Sequence, residues 1–80
     1  MQREEILAKL IRIGRETVPE LQDAEFDPNK SYRDLGINSL DLMDILAAAM
    51  KEFKVKIPRD ELSQITTING LVDAFVKATA

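Results

Sequence analysis

From Arg3 to Thr17 the apolar residues Ile6, Leu7, Leu10, Ile11 and Ile13 recur at three- and four-residue spacing, with Glu4, Glu5, Lys9, Arg12, Arg15 and Glu16 on the opposite side. That period predicts an amphipathic helix. Glu5 with Lys9 and Arg12 with Glu16 stand at i,i+4, where opposite charges support a helix. Pro19 disfavours helical geometry at Val18, so the first helix should stop near Thr17.

Residues 18–38 show no sustained period and contain Pro19, Pro28 and Gly36, with Leu21, Phe26, Tyr32, Leu35 and Ile37 as isolated apolar anchors. The segment reads as a long loop. Loops of about 20 residues are uncommon in small proteins and are usually functional or tied down by such anchors.

A second helix should begin at Ser39, whose hydroxyl can cap it, and run to about Phe53. On a helical wheel Asp41, Asp44, Lys51 and Glu52, with Ala48, form one narrow stripe. Leu42, Ile45, Leu46, Ala49 and Phe53 fall on one side of that stripe, and Leu40, Met43, Ala47 and Met50 on another. A helix so largely apolar either lies central to its bundle or buries one side and offers the other to a partner. Both readings are open here, and the second is favoured.

Pro58 opens a short turn of helix at Arg59-Asp60-Glu61-Leu62. Thr66 or Thr67 can cap a last helix, whose apolar face is Ile68, Leu71, Val72, Phe75 and Val76. Gly70 inside it costs about 1 kcal/mol relative to Ala, which points to close packing there. The pattern predicts an all-α bundle of four helices, three longer and the third short, with a long loop between the first two.

Composition narrows the chemistry. Eighty residues fit one domain, residues 1–80, since so short a chain buries only about 60% of its unfolded surface. There is no cysteine and no histidine, which removes disulfides, thiolate nucleophiles, the commonest general base and the usual zinc ligands, so no metal site is expected. With no nucleophile, base or metal cluster visible, an enzyme is not expected. A net charge of -3 argues against nucleic acid and for an electropositive protein partner. No apolar run approaches the roughly 20 residues needed to span a bilayer, and Met1-Gln2-Arg3-Glu4-Glu5 opens a charged helix rather than a signal peptide, so a cytoplasmic protein without membrane insertion is expected. A free-standing monomer is the simplest reading, with a domain of a larger chain as the alternative.

The run Asp34-Leu35-Gly36-Ile37-Asn38-Ser39-Leu40-Asp41-Leu42-Met43 closely resembles the phosphopantetheine attachment motif of acyl carrier proteins, D-L-G-x-D-S-L-D. Downstream, Glu52-Phe53, Ile57-Pro58 and Ile65-Thr66-Thr67 resemble the family's end of helix two, start of helix three and start of helix four, at matching spacing. The resemblance implies a four-helix acyl-carrier-like bundle. It also implies 4'-phosphopantetheine, transferred from coenzyme A to Ser39 by a phosphopantetheinyl transferase, and acyl thioesters delivered to ketosynthase, acyltransferase and other synthase enzymes.

Carried over residue by residue, Asn38, Leu40, Asp41, Met43, Asp44, Ala47 and Met50 would form the partner-docking face. Leu46, Ala49, Phe53, Ile57, Leu62, Ile65 and Leu71 would line the space that shelters the acyl chain, with plain core as an equally weighted reading. A helix N-terminus suits the phosphodiester on physical grounds, because its unpaired N–H groups and dipole favour an anion.

Three departures bear on partners. Asn38 stands where Asp is usual, the end of the second helix is less acidic than in fatty-acid carriers, and Lys54, Lys56 and Arg59 add positive charge. Where carrier domains of peptide synthetases usually have a second glycine, this chain has Ile37, which favours an acyl load. The pattern is similar to stand-alone carriers of polyketide pathways, including donor carriers of β-branching. An ordinary fatty-acid carrier, or an unmodified carrier-like interaction subunit, remains the alternative.

Overall fold

The computed structural model describes residues 2–23 and 25–80. Four α-helices follow in order: α1 (Arg3–Thr17), α2 (Ser39–Phe53), α3 (Arg59–Leu62) and α4 (Ile68–Thr79), with a 3-10 turn at Pro19–Leu21. The periodic segments of the sequence are thus helices over the expected spans. The described residues contain no strand, only an isolated bridge between Ser31 and Thr67.

Helix α1 lies against both α2 and α4. Its Ile6, Leu10 and Ile13 meet Ile45, Leu46, Ala49 and Phe53 of α2 and Ile68, Leu71, Val72, Ala74 and Phe75 of α4 in one buried core. Phe75, Ile6 and Val72 are fully buried, and each large apolar side chain so placed contributes about 1.5–3 kcal/mol. The Phe53 and Phe75 rings stand 5.2 Å apart and tilted by 46°, which ties α2 to α4. The ion pairs expected on the first helix form, Lys9 with Glu5 and Arg12 with Glu16, and Arg12 also reaches across to Glu52 of α2.

The long loop is held at both kinds of anchor. Leu21, Tyr32 and Ile37 are buried, and Phe26 and Leu35 are half-buried against the core. Backbone bonds do the rest: the Tyr32 N–H donates to the Thr66 carbonyl at 2.9 Å, and the Asn69 N–H donates to the Pro28 carbonyl at 2.9 Å. The loop is therefore pinned to the start of α4. Thr67, one of the two residues expected to cap that helix, accepts the Gly70 N–H at 3.0 Å. A Cβ on Gly70 would come within 3.2 Å of the Ile65 side chain, the close packing its position implied.

Helix α2 ends on Lys54 in the left-handed region, φ 58°, with the Val55 N–H donating to the Met50 carbonyl at 3.1 Å. That reversal turns the chain toward Ile57 and α3. No helix of the described residues is long and apolar enough to cross a membrane.

Candidate functional site

Three consecutive residues build the approach to Ser39. Gly36 takes φ 81° with nothing within 4 Å of its missing side chain, so glycine is required there by the backbone and not by crowding. Its N–H and that of Ile37 donate back to the Arg33 and Tyr32 carbonyls, and the buried Ile37 side chain fixes the turn to the core. The chain then leaves in extended geometry at Asn38, φ -81° and ψ 169°.

Asn38, not Ser39, caps α2. Its Oδ1 accepts the Asp41 N–H at 2.8 Å, and Ser39 is the first helical residue. The expectation of a serine cap is thus corrected: both residue types cap well, and only the residue with non-helical dihedrals can do so. The shift frees the serine hydroxyl, which is exposed and makes no hydrogen bond among the described residues.

From Ser39 an open cleft of about 620 Å³ runs between α2 and the α3 region, lined by Leu42, Met43, Leu46, Met50, Ile57, Arg59, Leu62, Ser63 and Ile65. Four of the residues expected to shelter an acyl chain, Leu46, Ile57, Leu62 and Ile65, line it. Ala49, Phe53 and Leu71 do not. Ala49 is wholly inaccessible, and Phe53 and Leu71 are buried in the core, so these three form packed interior. Leu42, half-buried against the core, also borders the cleft.

The outer side of α2 divides similarly. Leu40 is 79% exposed and Met43 48% exposed, the only large apolar side chains so open among the described residues. Ala47 and Asp44 are exposed beside them, and Asp41 is half-exposed. Met50 departs from this strip: it is half-buried against the core, and its sulfur accepts the Ile57 N–H at 3.5 Å. One further turn along the helix brings it under the returning chain, which the wheel could not show. Of the two readings of α2, the arrangement matches the one in which a side is left uncovered.

Ser63 of the cleft was not singled out from sequence, nor was Arg33, which lines a second depression with Gly36, Ile37, Asn38, Ser39 and Leu42, and Arg59 drew notice only for its positive charge. Their signal was faint, since each stands in a short or irregular segment without a period. No group of acidic, histidine or cysteine residues able to hold a metal occurs among the described residues.

An exposed hydroxyl at a helix N-terminus beside an apolar cleft fits a phosphopantetheine arm: the helix end suits the phosphodiester, and the cleft suits an apolar chain at the arm's tip. Comparison with known proteins agrees. The family model of the phosphopantetheine attachment site matches residues 5–75. The acyl carrier protein of Micrococcus luteus is 42% identical over 98% of this chain and 96% of its own length. The polyketide biosynthesis acyl-carrier-protein AcpK of Bacillus subtilis is 33% identical over 94% of this chain and 92% of its own. Among solved structures, a chain of the curacin pathway HMG synthase in complex with acetyl donor-ACP superposes with a TM-score of 0.82 at 34% identity, covering 96% of this chain and 99% of that one. The chain described here therefore belongs to the acyl carrier protein family, whose members carry their cargo on phosphopantetheine.

Proposed function

We propose that residues 1–80 act as one carrier domain in which Ser39 bears 4'-phosphopantetheine and Leu40, Met43, Ala47, Asp41 and Asp44 dock the enzymes it serves. The observation that carries this reading is the position of Ser39. Its hydroxyl is exposed at the first turn of α2 and opens onto the apolar cleft. In attachment, a bond forms between Ser39 Oγ and the phosphorus of the pantetheine phosphate. The diphosphate bond of coenzyme A breaks, adenosine 3',5'-bisphosphate leaves, and the serine proton passes to a base on the transferase. The arm's terminal thiol then carries the acyl group as a thioester.

This chain supplies position and surface rather than catalysis. Asn38 fixes the first turn of α2 and so the direction of Ser39. The cleft removes the apolar part of a load from water. The similarity to a polyketide carrier and to an acetyl donor carrier supports a short acyl load and synthase enzymes of polyketide assembly as partners. A monomer in the cytoplasm, modified there by a phosphopantetheinyl transferase, completes the reading.

Intact-mass measurement after co-expression with a transferase tests it. A gain of one phosphopantetheine is expected, abolished in Ser39→Ala with helicity retained. An unmodified chain, or modification persisting in that variant, would refute the assignment. Mass spectrometry of the protein from its own producer identifies the load.

A further inference from the structure

The chain has five arginines, and three are engaged. Arg3 pairs with Asp73 and Asn69, Arg12 with Glu16 and Glu52, and Arg15 lies over the Phe26 ring at 5.4 Å. Arg33 and Arg59 have no ion pair or side-chain hydrogen bond among the described residues. Acidic residues outnumber basic ones by 14 to 11, so carboxylates are in ample supply. Asp34 and Asp41 stand close to Ser39 in sequence, yet neither pairs with these arginines.

The two unpaired arginines are also the two that line depressions shared with Ser39. Arg33 lines the depression of about 470 Å³ on the loop side, and Arg59 lines the cleft of about 620 Å³ toward α3. The depressions share Ser39 and Leu42. A guanidinium presents a planar fork of N–H donors that matches phosphate oxygens, and it is more weakly hydrated than an ammonium. The end of α2 favours the same anion, although Asn38 already takes one of its N–H groups, that of Asp41.

Resting on the attachment reading, we propose that Arg33 and Arg59 hold the phosphodiester on Ser39 between them and so direct the arm into the cleft. They are positioning residues. Arg59, the one charged group in an otherwise largely apolar lining, draws the phosphate toward the cleft mouth. The arm then starts over Met43 and Leu62 instead of pointing into solvent. Arg33 limits its swing toward the loop.

The test uses the holo protein made with isotope-labelled coenzyme A, first checked by intact mass. A chain that takes no arm overturns the attachment reading itself, and the NMR comparison is made only on modified protein. In wild type, the phosphorus-31 resonance is expected to move with salt, and cross-peaks are expected from the arm to the Leu62 and Ile65 side chains. Arg33→Gln and Arg59→Gln should each shift that resonance. The double variant should lose its salt dependence and the cross-peaks, while Arg59→Lys retains part of both. Circular dichroism confirms the helices in each. A phosphorus resonance, salt dependence and arm contacts identical in wild type and double variant would overturn the proposal, as would a wild-type arm that never touches the cleft.

Discussion

The side-chain oxygen of Asn38 accepts the backbone N–H of Asp41 at 2.8 Å, and this bond closes the first turn of α2 without help from the serine beside it. Asn38→Ala should therefore destabilise the fold by about 0.5–2 kcal/mol, the usual cost of a lost cap. Ser39→Ala should change stability by much less while removing the attachment point. Urea denaturation of the two variants side by side separates them. Equal losses would mean that the serine also caps in solution.

Tyr32 is the sole tyrosine, is 8% exposed, and its buried hydroxyl has no hydrogen-bond partner among the described residues. Burial pushes its ionisation well above the ordinary value of 10.0. Because the folded state disfavours the phenolate, its stability contribution is full below the unfolded value and declines as pH rises above it. In a chain without tryptophan, the phenolate absorbance of this single ring should appear only together with loss of helicity at alkaline pH. Tyr32→Phe removes the unpaired hydroxyl and should raise stability by up to about 1 kcal/mol. A free, reversible titration near the ordinary value in the folded protein would contradict the burial.

Ala49 and Leu62 test where a load is sheltered. Ala49→Phe should overpack the core by about 1–3 kcal/mol, since Ala49 is inaccessible and outside the cleft lining. Leu62→Ser, at a half-buried cleft position, should cost less stability yet speed hydrolysis of longer acyl thioesters. Hydrolysis rates and thermal unfolding of both loaded variants decide the matter. Faster hydrolysis in Ala49→Phe but not in Leu62→Ser would place the chain in the core instead.

Leu40 and Met43 stand open beside Asp41 and Asp44 on α2. Reversing both acids to Lys should slow transfer of the arm onto Ser39 mainly at low salt, because such charges steer encounter and are screened beyond about 8–10 Å at physiological salt. Losing Asp41 from the first turn should also cost about 0.3–1 kcal/mol of dipole interaction. Met43→Ala should raise dissociation with little salt dependence. An unchanged low-salt rate in the double reversal would leave docking to the apolar strip alone.

Much of this is legible in the sequence, for reasons tied to particular residues. The helices declare themselves through 3.6-residue periodicity, which Ile6, Leu10 and Ile13 or Leu71, Val72 and Phe75 obey. The attachment motif is largely a folding instruction: Gly36 supplies a left-handed turn, Ile37 an anchor and Asn38 a cap, leaving Ser39 and Leu40 outward. What stayed hidden depends on remote pairs. The bonds from Tyr32 to Thr66 and from Asn69 to Pro28 join segments with no common period. Whether Asn38 or Ser39 caps is decided by one residue's dihedrals, and Met50 leaves the exposed strip only because Ile57 folds back over it.

The two sides of the cleft differ in how firmly they are held. Helix α2 sinks Ile45, Leu46, Ala49 and Phe53 into the core, whereas α3 is four residues long and buries none of them fully. It is kept in place by the partial packing of Leu62 on the core and by local bonds such as those from Leu62 to Pro58 at 3.0 Å and from the Ser63 hydroxyl to Asp60 at 2.8 Å. Segments with so little buried apolar area open at a free energy far below that of global unfolding. The gap thus has one stiff jaw and one compliant jaw. On the proposed carrier reading, a bulkier passenger is expected to displace a single turn of chain and to leave the Phe53 and Phe75 contact that anchors the bundle undisturbed.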